Sequence, residues 1–475
     1  MNDAAIPRRR LAEAGAVPRP LPLPGIAASV ARRLLCLAVY LSIVPMAASA
    51  ATLPRATPEQ AGFSSEGLAK VDALIEASVA DGFPGAVLAI VRDGKLVKLK
   101  AYGYARRYDE HGLVRDPPPM RVDTLFDLAS NTKMYATTFA LQRLVDEGKI
   151  DLDAPVQRYL PAFVDGPDDP LPGKAQVTVA DLLRHSGGLA ADVRYFDRAK
   201  AGLLFSQDRA TTYARLMRTP LAYPPGSRNQ YSDLGFMLLG RLVEQVAGMP
   251  LETYVERTFY APLGLRHTLY APLRGNRRLG RFSPSQCAAT ETRGNTRDGT
   301  LQFENVRTHT VQCEVHDEKA FYSLEQVGGH AGLFSTAEDV AVLQQVMLGG
   351  GRRGSRVFFG PETIARFTAS AGPDPSYGLG WRLNRGDDPA TFFGRYASPQ
   401  AYGHTGWTGT VTLIDPARRL GIVLLTNKKN TPVVDPAKDA NRFLGDTFPI
   451  SNYRAVIERI YLAMRDRDDA AAPAP

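Results

Sequence analysis

The chain has 475 residues, 44% of them hydrophobic and 22% charged, which gives room for one large or two moderate soluble domains. Its formal net charge is +8, but the first 50 residues hold six arginines against one Asp and one Glu, so half of that excess sits in the N-terminal segment. The remainder is too mild, and too poor in Lys/Arg runs interleaved with aromatics, to indicate a nucleic-acid partner.

Residues 1–33 are rich in Arg, Ala and Pro and end in Arg32-Arg33; the apolar run Leu34–Met46 and then Ala48-Ser49-Ala50 follow. That order predicts a secretory signal peptide over 1–50, cleaved after Ala50. The run is short for a bilayer span; left uncleaved, it is a single marginal anchor associating the protein with the inner membrane. Export places the mature chain in an oxidising periplasm. Cys36 leaves with the signal, while Cys287 and Cys313 remain, either as a disulfide or as two buried thiols.

The mature chain opens with a helical pattern, Ser64–Ala80, apolar at Val71, Leu74, Ile75 and Val79 and stopped by Gly82 and Pro84. Ala86–Val91 and Lys95–Tyr102 flank Asp93-Gly94, which predicts a β-hairpin with a tight two-residue turn. The middle is mostly helical, with Thr132–Glu147 ending at Gly148 and Ser232–Ala247 ending at Gly248. Residues 270–320 are polar, Gly/Arg-rich and weakly patterned, an excursion expected to cover the site. Gly409–Ile414 and Leu420–Thr426 form a second hairpin, and a last helix, Asn452–Asp466, precedes a disordered Ala/Pro tail at 467–475. The expected fold is α/β (α+β): one domain over 51–466, an antiparallel sheet built from both chain ends and flanked by N- and C-terminal helices. A mostly helical lobe, about 125–270, is inserted, with the active site where the lobes meet.

Three motifs carry chemistry. Ser130 and Lys133 form the only Ser-x-x-Lys of the chain. A serine hydroxyl needs a neighbouring base; three residues apart on a helix, the two side chains share a face, and the helix N-terminus favours developing negative charge. Lysine acts as a base only where desolvation lowers its pKa, and Leu128, Ala129, Met134 and Phe139 supply a dry setting. An ordinary helix start with one snorkelling lysine is the competing reading of this motif alone. Tyr231, in a turn rich in Pro and Gly, offers a phenol that passes a proton between Ser130, Lys133 and a leaving group; Asp233 either caps the next helix or faces substrate. His404-Thr405-Gly406 precedes a strand: the His and Thr side chains can hydrogen-bond a substrate carboxylate or carbonyl, and the bare Gly406 lets a ligand lie along the strand edge. The N–H groups of Ser130 and Trp407 are the expected oxyanion hole.

Rival designs lack their signals. No Gly-x-Ser-x-Gly occurs, which disfavours an α/β-hydrolase triad. His316-Asp317-Glu318 is not accompanied by His-Glu-x-x-His or Cys/His ligand spacing, so no metal and no cofactor is expected. His185, His330 and His404 read as supporting or packing residues rather than ligands.

With these motifs in place the chain resembles the β-lactamase-like serine hydrolases: class C β-lactamases, DD-carboxypeptidases and related esterases. The resemblance spans nearly all of 55–465 and includes Thr178–Leu189, Gly332–Asp339 and Tyr377–Trp381. Val315–Ala320, with Gly329-His330-Ala331-Gly332, is similar to the branch containing penicillin-binding protein 4B, regarded as D-alanyl-D-alanine carboxypeptidases. The resemblance implies Ser130 as acylated nucleophile, Lys133 as its base and Tyr231 as acid/base relay, with His404-Thr405-Gly406 standing where many relatives have Lys-Thr-Gly. Two departures matter. Asp233 stands where β-lactamases usually have Asn, and an ionised carboxylate cannot donate to a substrate amide carbonyl. His404 replaces a fixed positive charge, although some DD-peptidases also use His-Thr-Gly; Trp407 adds bulk beside the oxyanion hole. The resulting expectation is an exported serine hydrolase that removes terminal D-Ala from peptidoglycan stem peptides. Carboxylesterase action, which suits Asp233 better, β-lactamase action and an idle binding protein are the alternatives.

Overall fold

In the computed structural model, residues 52–385 and 393–465 are described. The signal segment and the tail at 467–475 lie outside the described residues. The helix α1 (Ser65–Ala80) starts where the Ser64 side chain accepts a hydrogen bond from the Gly67 N–H. It buries Leu68, Val71 and Ile75, with Leu74 and Val79 at the edge of that face.

The first hairpin joins β1 (Gly85–Arg92) to β2 (Lys95–Gly103) through Asp93 and Gly94. Both turn residues have positive φ (51° and 75°), the geometry that matches hairpin twist and that Asp-Gly tolerates. Farther on come β3 (Arg382–Leu383), β4 (Tyr402–Gly406), β5 (Thr410–Asp415) and β6 (Leu420–Thr426). The order in the sheet is β3-β4-β5-β6-β1-β2, antiparallel throughout, so β1 from one chain end pairs with β6 from the other. Val87 stands opposite Leu425 and Ala89 opposite Val423.

Every residue of β1 is buried, and its alternation divides the core. Ala86, Leu88 and Ile90 pack with α1 and the C-terminal helix Tyr453–Leu462. Val87, Ala89 and Val91 face the larger core shared with the inserted helices. The Asp233–Ala247 helix ends at Gly248, whose φ of +66° is the left-handed cap that a glycine supplies without strain. None of the described helices is long and apolar enough to cross a membrane.

Residues 270–320 form few regular elements, yet they are anchored. Cys287 and Cys313 are joined by a disulfide, which decides between the two states the sequence leaves open. Arg297 pairs with Glu291 and Glu318, and Arg307 donates to Asn295 Oδ1 and to the carbonyls of Val315 and His316. The segment is held by these ion pairs and the cross-link together with a small apolar cluster that includes Leu269, Val315, Ala320 and Phe334.

A crosslink spanning 26 residues restricts the unfolded chain. Replacing both cysteines by serine is expected to lower unfolding free energy by about 2–4 kcal/mol. Urea titration under oxidising conditions checks this, and an unchanged midpoint would contradict it.

Candidate active site

The nucleophile turn is set by Asp127, a buried carboxylate at the end of a two-residue strand, Phe126–Asp127. Its Oδ1 accepts from the Ala129 N–H (2.8 Å) and its Oδ2 from the His316 N–H (2.6 Å). Those bonds hold Ala129 at a φ of +46°, a strained left-handed conformation for a residue with a Cβ. The turn then presents Ser130, partly exposed, while Ala129 and Asn131 stay buried. Sequence periodicity predicts one helix over Thr132–Glu147. The structure has a 3-10 turn at Ala129–Asn131, a π-helical stretch at Lys133–Thr138 and an α-helix only from Phe139 to Asp146. Tertiary anchors fall in the widened part: Thr132 Oγ1 accepts from the Leu333 N–H, and Thr137 Oγ1 donates to the Gly329 carbonyl (2.6 Å).

Lys133 is fully buried, and its ammonium meets three acceptors: Ser130 Oγ (2.9 Å), Asp233 Oδ1 (2.8 Å) and the His330 carbonyl (3.1 Å). The His330 carbonyl comes within reach because Gly329 packs on Gly240; a Cβ on Gly240 would lie 2.9 Å from the Gly329 Cα. Burial alone pulls the lysine down, but the negative charge of Asp233 and of an ionised Tyr231 outweighs it, and the ammonium is held above its usual range. Dryness by itself is expected to lower Lys133 and favour its role as a base. The dry setting exists, but the carboxylate inside it reverses the sign.

Tyr231 packs against Lys133, whose Nζ lies 4.9 Å from its ring centroid, and borders the nucleophile cavities with Ser130. Its ring stacks on His185 with centroids 4.4 Å apart, and His185 Nδ1 accepts from the Ser232 N–H (3.1 Å), which fixes the chain next to the phenol. Burial pushes the phenol up, Lys133 pulls it down, and the net shift is upward. Asp233 is the first residue of its helix, but its side chain does not cap it. Both oxygens face lysines, Oδ1 on Lys133 and Oδ2 3.2 Å from Lys319 Nζ. Burial opposes its ionisation; the two ammoniums prevail and hold it well below the usual carboxylate range.

His404 is buried, and burial beside Lys133 pushes its imidazole down to about 3. Its Nδ1 lies 2.6 Å from the Thr405 carbonyl and so carries the proton, which leaves Nε2 as a buried acceptor with no partner among the described residues. In this tautomer Nε2 is an acceptor, not a donor. Thr405, partly exposed in the same wall, can donate to a carboxylate or carbonyl oxygen. Gly406 also differs from expectation: a Cβ there would lie 2.5 Å from the Leu128 carbonyl and 2.2 Å from Thr410 Oγ1. The glycine is demanded by strand-to-turn packing, not by a ligand.

Ser130 and Tyr231 lie between two cavities. One, about 590 Å³, extends past Asp233, Asp317, Lys319, Arg297 and Phe303; the other, about 740 Å³, past Thr405, Arg382, Lys428, Lys429 and Arg442. Trp407 borders both, 41% exposed, with Lys429 Nζ 4.0 Å from its ring centroid. The polar excursion forms the far wall of the first cavity.

Sequence reasoning missed Asp192, Asp317 and Lys319. Lys319 Nζ lies 2.8 Å from Asp192 Oδ1 and 3.7 Å from Asp317 Oδ2, and Asp317 Oδ1 contacts His330 Nε2 at 2.9 Å. The Val315–Ala320 run was legible only as a family mark. Donor atoms of Asp233, Asp317 and His330 lie within 4.8 Å of one another, a spacing that can hold a metal ion. The Lys319 ammonium already supplies the positive charge between the two carboxylates.

This strained serine turn on an antiparallel sheet, with a buried lysine and a tyrosine from the helical lobe, has counterparts in a known family. The sequence profile of the β-lactamase family matches residues 71–447, and the chain belongs to that family. It is 52% identical over 406 residues (86% of this chain, 91% of the relative) to a Bacillus subtilis protein named N-acetylmuramyl-L-alanine amidase. It is 48% identical over 434 residues (90% and 99%) to an Escherichia coli K12 protein named "Putative D-alanyl-D-alanine carboxypeptidase". Among solved structures it is similar to EstCE1, a hydrolase with promiscuous acyltransferase activity, with a TM-score of 0.62 at 23% identity, covering 83% of this chain and 99% of that one. The protein is a serine hydrolase of the acyl-enzyme type.

The Asp233 charge raises both Lys133 and Tyr231. Asp233→Asn therefore lets the phenolate form at lower pH, and the rising limb of kcat/KM against pH for a short-chain nitrophenyl ester is expected to move down. A limb that stays or moves up would contradict this.

Proposed function

We propose that the mature protein is a periplasmic peptidoglycan hydrolase that cleaves the terminal D-Ala–D-Ala amide of stem peptides through an ester on Ser130. The observation carrying this reading is the position of Ser130 between two cavities, one lined by acids and bases in near balance and the other with an excess of bases. A substrate extended on both sides of its scissile carbonyl fits there, with a small carboxylate-bearing leaving group toward the cavity bordered by Arg382, Lys428, Lys429 and Arg442. The relatives' names point to the same polymer. Export is supported by the order of residues 1–50 and by the disulfide, which persists in oxidising compartments.

In the proposed mechanism the reactive state is the minor fraction in which Tyr231, despite its upward shift, is ionised beside the Lys133 ammonium. Ser130 Oγ attacks the carbonyl carbon while its proton passes to the Tyr231 oxygen. The tetrahedral oxyanion faces the N–H groups of Ser130 and Trp407. Tyr231 then protonates the leaving amine; a water deprotonated by the same phenolate attacks the ester carbonyl, and Tyr231 returns that proton to Ser130 Oγ as the acyl group leaves. Lys133 remains an ammonium throughout and holds Ser130 and Tyr231 in register.

A second reading concerns the amide between the muramyl lactyl group and L-Ala. The exposed Trp407 ring, next to the nucleophile, offers a flat apolar face on which a sugar can stack, and the Bacillus subtilis relative is named for that bond.

Incubation of defined muropeptides with the mature enzyme and with Ser130→Ala, followed by mass spectrometry, tests both. Loss of one terminal alanine supports the first reading; separation into free sugar and free peptide supports the second. Ser130→Ala is expected to lower either turnover by about a thousand-fold or more, and a variant retaining activity would remove the acyl-enzyme on Ser130.

A further inference from the structure

The wall around the nucleophile is rich in acceptors, and its buried cations are mostly committed. The Lys133 ammonium is committed to Ser130, Asp233 and the His330 carbonyl. Arg297 is committed to Glu291 and Glu318. Asp233 and Asp317 are held ionised and accept only. Lys319 differs. Its ammonium donates one hydrogen bond, to Asp192 Oδ1 at 2.8 Å, and that carboxylate is itself half-exposed. Its contact with Asp233 at 3.2 Å is an ion pair without hydrogen-bond alignment, and Asp317 at 3.7 Å is beyond hydrogen-bond range.

The side chain of Lys319 is 8% exposed, and it lines the cavity that also holds Ser130, Tyr231 and Asp233. A buried ammonium with unspent N–H groups favours a ligand oxygen that supplies the missing acceptor. Three carboxylates already surround it, so a further anion is repelled and a neutral carbonyl oxygen is not.

We infer that Lys319 is the specificity-determining donor of the acyl side, hydrogen-bonding an amide carbonyl that lies one residue before the scissile carbonyl. The inference rests on the proposed Ser130 acyl-enzyme and adds to it the chemical class of acyl group preferred: an N-acylated amino acid in place of a plain fatty acyl chain. Lys133 and Lys319 divide the work through Asp233, one holding the nucleophile and the other reading the substrate.

Two nitrophenyl esters of equal acyl length test this, one of N-acetylglycine and one of pentanoic acid, each corrected for the Ser130→Ala background. The wild-type enzyme is expected to prefer the amide-bearing ester by about ten-fold or more in kcat/KM, the discrimination a charge-assisted hydrogen bond supports. Lys319→Met is expected to bring that ratio close to one, whereas a merely structural role would lower both esters in parallel and keep the ratio. A retained ratio overturns the inference. Should the variant not fold, the wild-type comparison decides alone, because a ratio near one overturns it equally. Absence of Ser130-dependent turnover of both esters would instead remove the acyl-enzyme reading, and this inference with it.

Discussion

The buried contact between Lys133 and Asp233 is the interaction on which the site depends. Removing an ammonium and a carboxylate from water costs several kcal/mol per ion, returned only when each finds full hydrogen-bond partners. Lys133 finds them on three segments: its own helical start, the helix at 233–247, and the loop at 328–330. Taking away one partner of such a pair generally costs about 3–5 kcal/mol, because the other charge is left stranded. Three elements distant in the chain are therefore tied to one nitrogen atom, and Ser130 Oγ is tied to it as well.

That pairing also allots the chemistry. A lysine already serving three acceptors as an ammonium has no lone pair to offer, which is why the proposed mechanism gives the proton of Ser130 to the oxygen of Tyr231. His404 takes no part in the charge balance: buried beside a permanent cation, it stays neutral, and its proton is spent on its neighbour's carbonyl. The excess of bases in the second cavity comes from Arg382, Lys428, Lys429 and Arg442, offset in part by Asp439 and Asp446, all outside the three motifs.

The sheet, the flanking helices and the three motifs were readable because each rests on a local pattern: Asp93-Gly94 between apolar strands, Gly248 after an apolar helix, Ser and Lys three residues apart. What escaped reading depends on partners far along the chain. The π-helical stretch at Lys133–Thr138 follows from Thr132 and Thr137 bonding Leu333 and Gly329, some two hundred residues later. The inverted pKa of Lys133 follows from Asp233, a hundred residues away. Gly406 was read as space for a ligand, but what fills that space is the carbonyl of Leu128, which no pattern around residue 406 discloses.

The excursion at 270–320 shows the same limit from the other side. Its sequence lacks a clear hydrophobic period, and much of its interior is ionic: Glu291 meets both Arg297 and His316 Nε2, and the His316 N–H returns to Asp127, which holds the nucleophile turn. One chain of bonds thus runs from the wall of the first cavity to the strained residue before Ser130. A segment built this way is costly to shift piecemeal, since moving one charge strands its partner. The wall carrying Asp317 and Lys319 is therefore held by the same network that sets the position of the nucleophile.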